Sequence, residues 1–141
     1  MKYAVIRVRG VRSISPRIKK TLELLKLMRP NHCVLVDDTP QNLGMLRHAK
    51  DYVTYGPVAE ETVYLMLKKR GMKDGGRVDM KEDELKKAAK EISGGKKTAE
   101  FANPVFRLNP PSRGYKNKKR AYPNGELGKR PEMDTLLRRM V

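Results

Sequence analysis

YAVIRVR, residues 3–9, places Ala4, Ile6 and Val8 on one side of an extended chain and Tyr3, Val5, Arg7 and Arg9 on the other. Period two over seven residues predicts a half-buried strand with a basic outer face. Ser15-Pro16 then reads as a helix start, with serine at the N-cap and proline at the first helical position. Ile18, Thr21, Leu22, Leu24, Leu25 and Met28 fall on one helical stripe opposite Lys19, Glu23 and Lys26, which predicts a helix ended by Pro30. Leu27 falls off that stripe. Residues 33–36 are an apolar run, consistent with a second strand buried on both faces. Thr39-Pro40 repeats the cap-then-proline signal and opens a short helix with Leu43, Met45, Leu46 and Ala49. Gly44 inside it costs about 1 kcal/mol relative to alanine, which predicts close packing at that point. Residues 51–55 form a third short strand, closed by Gly56-Pro57. The order β-α-β-α-β within residues 1–57 predicts an α+β fold, a small sheet with helices on one face.

Further along, residues 58–70 carry Val58, Thr62, Leu65 and Met66 at helical spacing, with Lys68, Lys69 and Arg70 complementing the helix dipole and Gly71 as the stop. Gly75-Gly76 predicts a hinge. Residues 81–92 predict another helix, laced by Glu82–Lys86 and Asp83–Lys87 pairs over a thin apolar face of Leu85, Ala88, Ala89 and Ile92. Gly94-Gly95 marks a second hinge, so 58–93 reads as a helical extension. After residue 93 come Pro104, Pro110, Pro111, Pro123 and Pro131. A short strand is expected over 105–108 and a short helix over 132–140, with no periodicity between 110 and 131. So long a structureless stretch predicts that 94–141 is a basic C-terminal arm that orders on a partner, and that removing 110–141 leaves the core folded.

The bulk numbers agree with one small core plus polar segments. Hydrophobic residues make up 38% of the 141, Trp is absent and Phe occurs twice. One cysteine, Cys33, excludes an internal disulfide. No apolar run approaches the roughly 18 residues of a membrane span, and MKYAVIRVRG lacks the apolar core of a signal peptide. A soluble, cytoplasmic protein is expected.

Charge is the strongest functional signal. The net charge is +16, and it sits at the two ends. Residues 1–30 hold nine Lys/Arg against one acid, residues 101–141 ten against three, and residues 31–100 thirteen against twelve. Such like-charge crowding disfavours a compact chain unless a polyanion relieves it.

Candidate chemistry is weak by comparison. Asp37-Asp38 precedes a helix start, where capping is the ordinary use of aspartate. His32, Cys33 and His48 lack zinc-ligand spacing. GGKK at 94–97 lacks the preceding strand and spaced glycines of a phosphate loop. With no nucleophile–base pattern, an enzyme, a metal site, a cofactor and a small-molecule substrate are not expected. The basic segments carry more. Arg9, Gly10, Arg12, Arg17, Lys19 and Lys20 surround a loop leading into a helix N-terminus, whose N–H groups and dipole suit phosphate. Downstream, Arg113, Tyr115, Lys116, Lys118, Lys119, Arg120 and Tyr122, followed by Lys129 and Arg130, interleave cations with aromatics that can stack on unpaired bases.

RGVRSISPRIKKTLELLKL (9–27) and HCVLVDDTPQNLGMLRHAKDYVTYG (32–56) resemble the core of the universal large-subunit ribosomal protein thirty family, called protein seven in eukaryotes. The second block is the more specific, through VDDTP followed by LGML. FRLNPPSRGYKNKKR (106–120) and LLRRM (136–140) resemble the C-terminal extension of archaeal and eukaryotic members, while 72–100 matches weakly. The resemblance implies an archaeal member with a three-stranded antiparallel, ferredoxin-like core. It also implies a ribosomal protein that binds ribosomal RNA of the large subunit, beside neighbouring ribosomal proteins and away from membranes. The alternative that charge alone leaves open is a DNA-compacting protein with a basic tail.

Overall fold

The computed structural model describes residues 2–10, 14–73, 76–77, 81–95, 105–115, 120, 122, 125, 127–131 and 133–141. Arg12, Gly75, Lys116, Lys118 and Lys119 lie outside these. The elements run β1 (Lys2–Arg7), α1 (Pro16–Leu24), β2 (His32–Asp37), α2 (Pro40–His48), β3 (Val53–Pro57), α3 (Glu60–Arg70), β4 (Met72–Lys73), β5 (Gly76–Arg77), α4 (Glu82–Ser93), β6 (Val105–Arg107), β7 (Gly128–Lys129) and α5 (Asp134–Met140).

Antiparallel pairing of β1 with β2 and with β3 forms the centre of the sheet, as the family resemblance implies. Two short edge strands widen it to five, in the order β6-β2-β1-β3-β7. β6 joins β2 antiparallel and β7 joins β3 parallel, so the sheet is mixed. β4 and β5 form a separate antiparallel pair in which Gly76 opposes Lys73, where the glycine pair predicts a hinge.

Strand alternation sorts the interior into two layers. Val5, Val34, Val53 and Tyr55 pack with Leu22 of α1, with Leu25 just after that helix, and with Leu46 of α2. Ala4, Ile6, Cys33, Leu35 and Phe106 face the other way, onto Val63, Met66 and Leu67 of α3, Leu85 and Ile92 of α4, and Leu136, Leu137 and Met140 of α5. Helices α1 and α2 thus share one face, and the later helices cover the second. β1 consequently has no basic outer face: Val5 is fully buried and Arg7 is 3% exposed, because a central strand with helices on both sides leaves neither face to water.

The described residues within 94–141 are packed into the fold. They supply both edge strands and a helix whose Leu136, Leu137 and Met140, with Met133 before it, are buried. Packing crosses both expected boundaries, at 57 and at 93. The attachment is specific at Gly56, where a Cβ would lie 2.6 Å from the Arg130 carbonyl oxygen. Only glycine lets the backbone at Arg130 run this close to β3, where Arg130 N–H donates to Tyr55 O (2.8 Å) and Met133 N–H to Pro57 O (3.2 Å).

Local differences have local causes. α1 ends at Leu24, before Pro30, because Lys26 adopts a left-handed conformation (φ 63°). Its N–H donates to Glu23 O and that of Leu27 to Leu22 O, a Schellman closure that folds Leu27 back into the core. This accounts for an apolar residue that misses the helical stripe. Leu24 and Met28, on the expected stripe, are instead 65% and 55% exposed. Gly44 has open space around it, so close packing is not its reason. Glu82 reaches α3, where it meets Lys68 (3.6 Å) and Tyr64 (3.3 Å). Thr39 is the side-chain cap of α2, accepting from Asn42 N–H, while Asp37 pairs with Lys2 Nζ at 2.6 Å.

Candidate nucleic-acid interface

Register gathers cations at one end of the sheet. Arg7 ends β1, His32 begins β2, and Arg107, directly opposite His32, ends β6. Burial and then the charges of Arg107, Arg29 and Arg7 hold His32 below the usual histidine range, and every charged neighbour acting on it is a cation. Arg7 is fixed from below: its Nη1 donates to Leu27 O (2.7 Å) and its Nε to Arg9 O (3.0 Å). Burial lowers its pKa, with Tyr52 acting in the opposite sense, yet a guanidinium stays charged at neutral pH. The remaining nitrogen, Nη2, is buried without an acceptor among the described residues.

Arg9 follows, its guanidinium 5.1 Å from the Tyr52 ring centre, and Gly10 is exposed at the start of the loop. Arg17, Lys19 and Lys20 are exposed on α1, the helix entered from that loop. Ser15 occupies the N-cap without making a side-chain cap hydrogen bond. Between α1 and β1 lies a cavity of about 50 Å³ lined by Arg7, Lys19, Glu23, Leu27 and Met28 among others, room for a water or two.

The C-terminal cations divide into two groups. Arg113 is exposed in a left-handed conformation (φ 69°), beside Gly114 (φ 71°). This turn is tied to α5: Arg139 donates through Nε to Ser112 O (2.9 Å) and through Nη2 to Gly114 O (2.5 Å). Tyr115 packs against the core and its hydroxyl donates to Asn31 Oδ1 (2.5 Å), so its ring braces the cationic end of the sheet. The second group borders β7. Arg120 and Lys129 are exposed, Arg130 is half-buried, and its guanidinium lies 5.2 Å from the ring centre of the exposed Tyr122.

Sequence reasoning singled out Arg9, which is half-buried, and Arg17, Lys19 and Lys20, which are exposed. It did not foresee Arg29, His32 and Arg107, which no local pattern joins. Antiparallel register sets Arg107 opposite His32, and the turn in which His32 N–H donates to Arg29 O (3.4 Å) adds Arg29.

Among the described residues there is no cluster of three or more potential metal ligands, and no helix long and apolar enough to cross a membrane. Cys33 is fully buried, and burial pushes its thiol pKa far up, which leaves it unreactive.

Residues 3–53 match the family model described as ribosomal protein L30p/L7e. Curated relatives extend the match to nearly the whole chain. Large ribosomal subunit protein uL30 of Methanoregula boonei is 44% identical, covering 98% of this chain and 99% of the relative. The uL30 protein of Archaeoglobus fulgidus is 41% identical over 89% and 90%, and that of Methanosphaera stadtmanae 38% identical over 99% of each. At such identity and coverage, the chain belongs to the L30p/L7e family of structural, non-enzymatic ribosomal proteins.

Proposed function

We propose that this protein is a structural constituent of the large ribosomal subunit in the cytoplasm and holds ribosomal RNA on two basic surfaces. One is the sheet end and α1, with Arg9, Gly10, Arg12, Arg17, Lys19, Lys20, Arg29 and Arg107. The other is the C-terminal segment, with Arg113, Lys116, Lys118, Lys119, Arg120, Lys129 and Arg130. The observation that carries the reading is the arginine cluster around His32, where exposed Arg29 and Arg107 lie near the buried, hydrogen-bonded Arg7 and none of the three is in an ion pair among the described residues. Cations gathered on one surface favour phosphate binding, because neutralising phosphates releases counterions. RNA shape, phosphates and 2′-hydroxyls would supply specificity, since the A-form major groove is too narrow to read. Neighbouring ribosomal proteins complete the setting.

The test is co-sedimentation with large subunits through moderate salt, with Arg29→Gln/Arg107→Gln as the variant. Retention of the wild-type chain, with weaker binding and a salt slope shallower by about one unit per lost phosphate contact in the variant, is expected. Recovery only in free or duplex-DNA-bound fractions would return the question to a DNA-compacting protein, a reading the archaeal relatives do not favour.

A further inference from the structure

Among the described residues, three large hydrophobic side chains are exposed, and Tyr122 is the aromatic one, at 40%. Its position is built. Tyr122 N–H donates to Leu127 O (2.9 Å), and Leu127 N–H donates to Arg120 O (3.2 Å), closing the loop on itself. The loop leads into β7, where Gly128 and Lys129 pair with Thr54 and Tyr55 of β3. Arg130 is held at the next position by its N–H bond to Tyr55 O and by its close approach to Gly56. From this anchored backbone the Arg130 guanidinium stacks on the Tyr122 ring. One side of the ring is therefore occupied by a cation and the ring remains substantially exposed.

An aromatic ring fixed in place, backed by a guanidinium and bordered by the exposed cations Arg120 and Lys129, has the chemistry of a base-stacking site. Rings in such sites stack on any base, while nearby cations take the flanking phosphates. Tyr115, the other aromatic of this basic segment, is engaged with Asn31 and the core.

We propose that Tyr122, backed by Arg130, is a stacking platform for one unpaired base of the ribosomal RNA. The inference rests on the RNA-binding reading above and adds to it a position, a ligand class and a mode of contact. Stacking is not ionic, so its loss weakens binding without changing the number of counterions released.

The sequence contains no tryptophan, so Tyr122→Trp in the full-length chain creates a single fluorescent reporter at the platform. Titration with the organism's own large-subunit rRNA is expected to quench its emission while affinity is kept. Tyr122→Ala is expected to bind roughly 5- to 100-fold more weakly with an unchanged salt slope, and Tyr122→Phe to bind as the wild type does. Wild-type affinity in Tyr122→Ala, together with Tyr122→Trp emission indifferent to rRNA, would overturn the platform while leaving the RNA-binding reading intact. Emission that responds only when other ribosomal proteins are added would also overturn it, and would assign the ring to a protein partner. Failure of the wild-type chain to bind rRNA at all would instead overturn the underlying reading, and the platform with it.

Discussion

The carboxylate of Asp134, at the start of α5, accepts a short hydrogen bond from the hydroxyl of Thr62 in α3. The same oxygen also accepts from Ala59 N–H at 3.0 Å. Ala59 is the N-cap of α3 and offers no side chain for capping. An aspartate 75 residues downstream does part of that work. The C-terminal helix is therefore coupled to the helix-start chemistry of the second layer, as well as to its apolar surface.

Asp134→Ala should lower stability by about 1–2 kcal/mol, the usual cost of losing a cap with a buried partner left behind. Thr62→Val should cost a similar amount, and the double variant less than the sum of the two. Urea unfolding of the four proteins measures this. Strict additivity would mean that the two groups act independently.

A chain ending at residue 132 should fail to unfold cooperatively. It lacks Met133, Leu136, Leu137 and Met140, all of them buried. Burial of one such side chain is worth about 1.5–3 kcal/mol, so losing four rivals a whole domain's stability of about 5–15 kcal/mol. Far-UV circular dichroism through a thermal ramp decides it. A sharp transition in the truncated chain would restore the view of 94–141 as a dispensable arm.

Lys26→Gly should stabilise the protein by about 0.5–1 kcal/mol. Lys26 holds the left-handed position of the Schellman closure, where a Cβ is strained and glycine is not. The greater freedom of glycine in the unfolded chain offsets part of the gain. A lower melting midpoint in the variant would show that the lysine side chain has a compensating contact.

Stability should fall with pH below about 6.5 in a way that His32→Asn removes. The folded protein holds His32 below its ordinary value of 6.5, by burial and by Arg107, Arg29 and Arg7. As pH falls, the unfolded chain takes up the proton first, so the native state loses relative stability until its own lower pKa is passed. The contribution is complete above 6.5 and absent at low pH. Melting midpoints measured at constant ionic strength should coincide in slope at neutral pH and diverge below it. Parallel curves throughout would remove His32 as the cause.

Sequence alone specified the local elements of the first 57 residues and the charge that makes a polyanion the natural partner. Period-two alternation in residues 3–9 and the cap-then-proline signals at Ser15 and Thr39 act over a few neighbours, so they are readable along the chain. The helices at 58–70 and 81–92 were equally legible from spacing. What the tertiary structure alone decided is long-range. Whether the Arg7 side of β1 meets water depended on which helices covered it. Residues 128–129 are too short to declare themselves as a strand and become one because β3 offers an unpaired edge, while the strand expected over 105–108 pairs with the edge of β2. The arginines Arg7 and Arg107 meet around His32 because antiparallel register sets distant residues side by side, and no local period encodes that. For the same reason the end of the basic C-terminal segment, whose composition suggests a loose arm, belongs to the core: Met133, Leu136, Leu137 and Met140 are buried there and Asp134 accepts from Thr62.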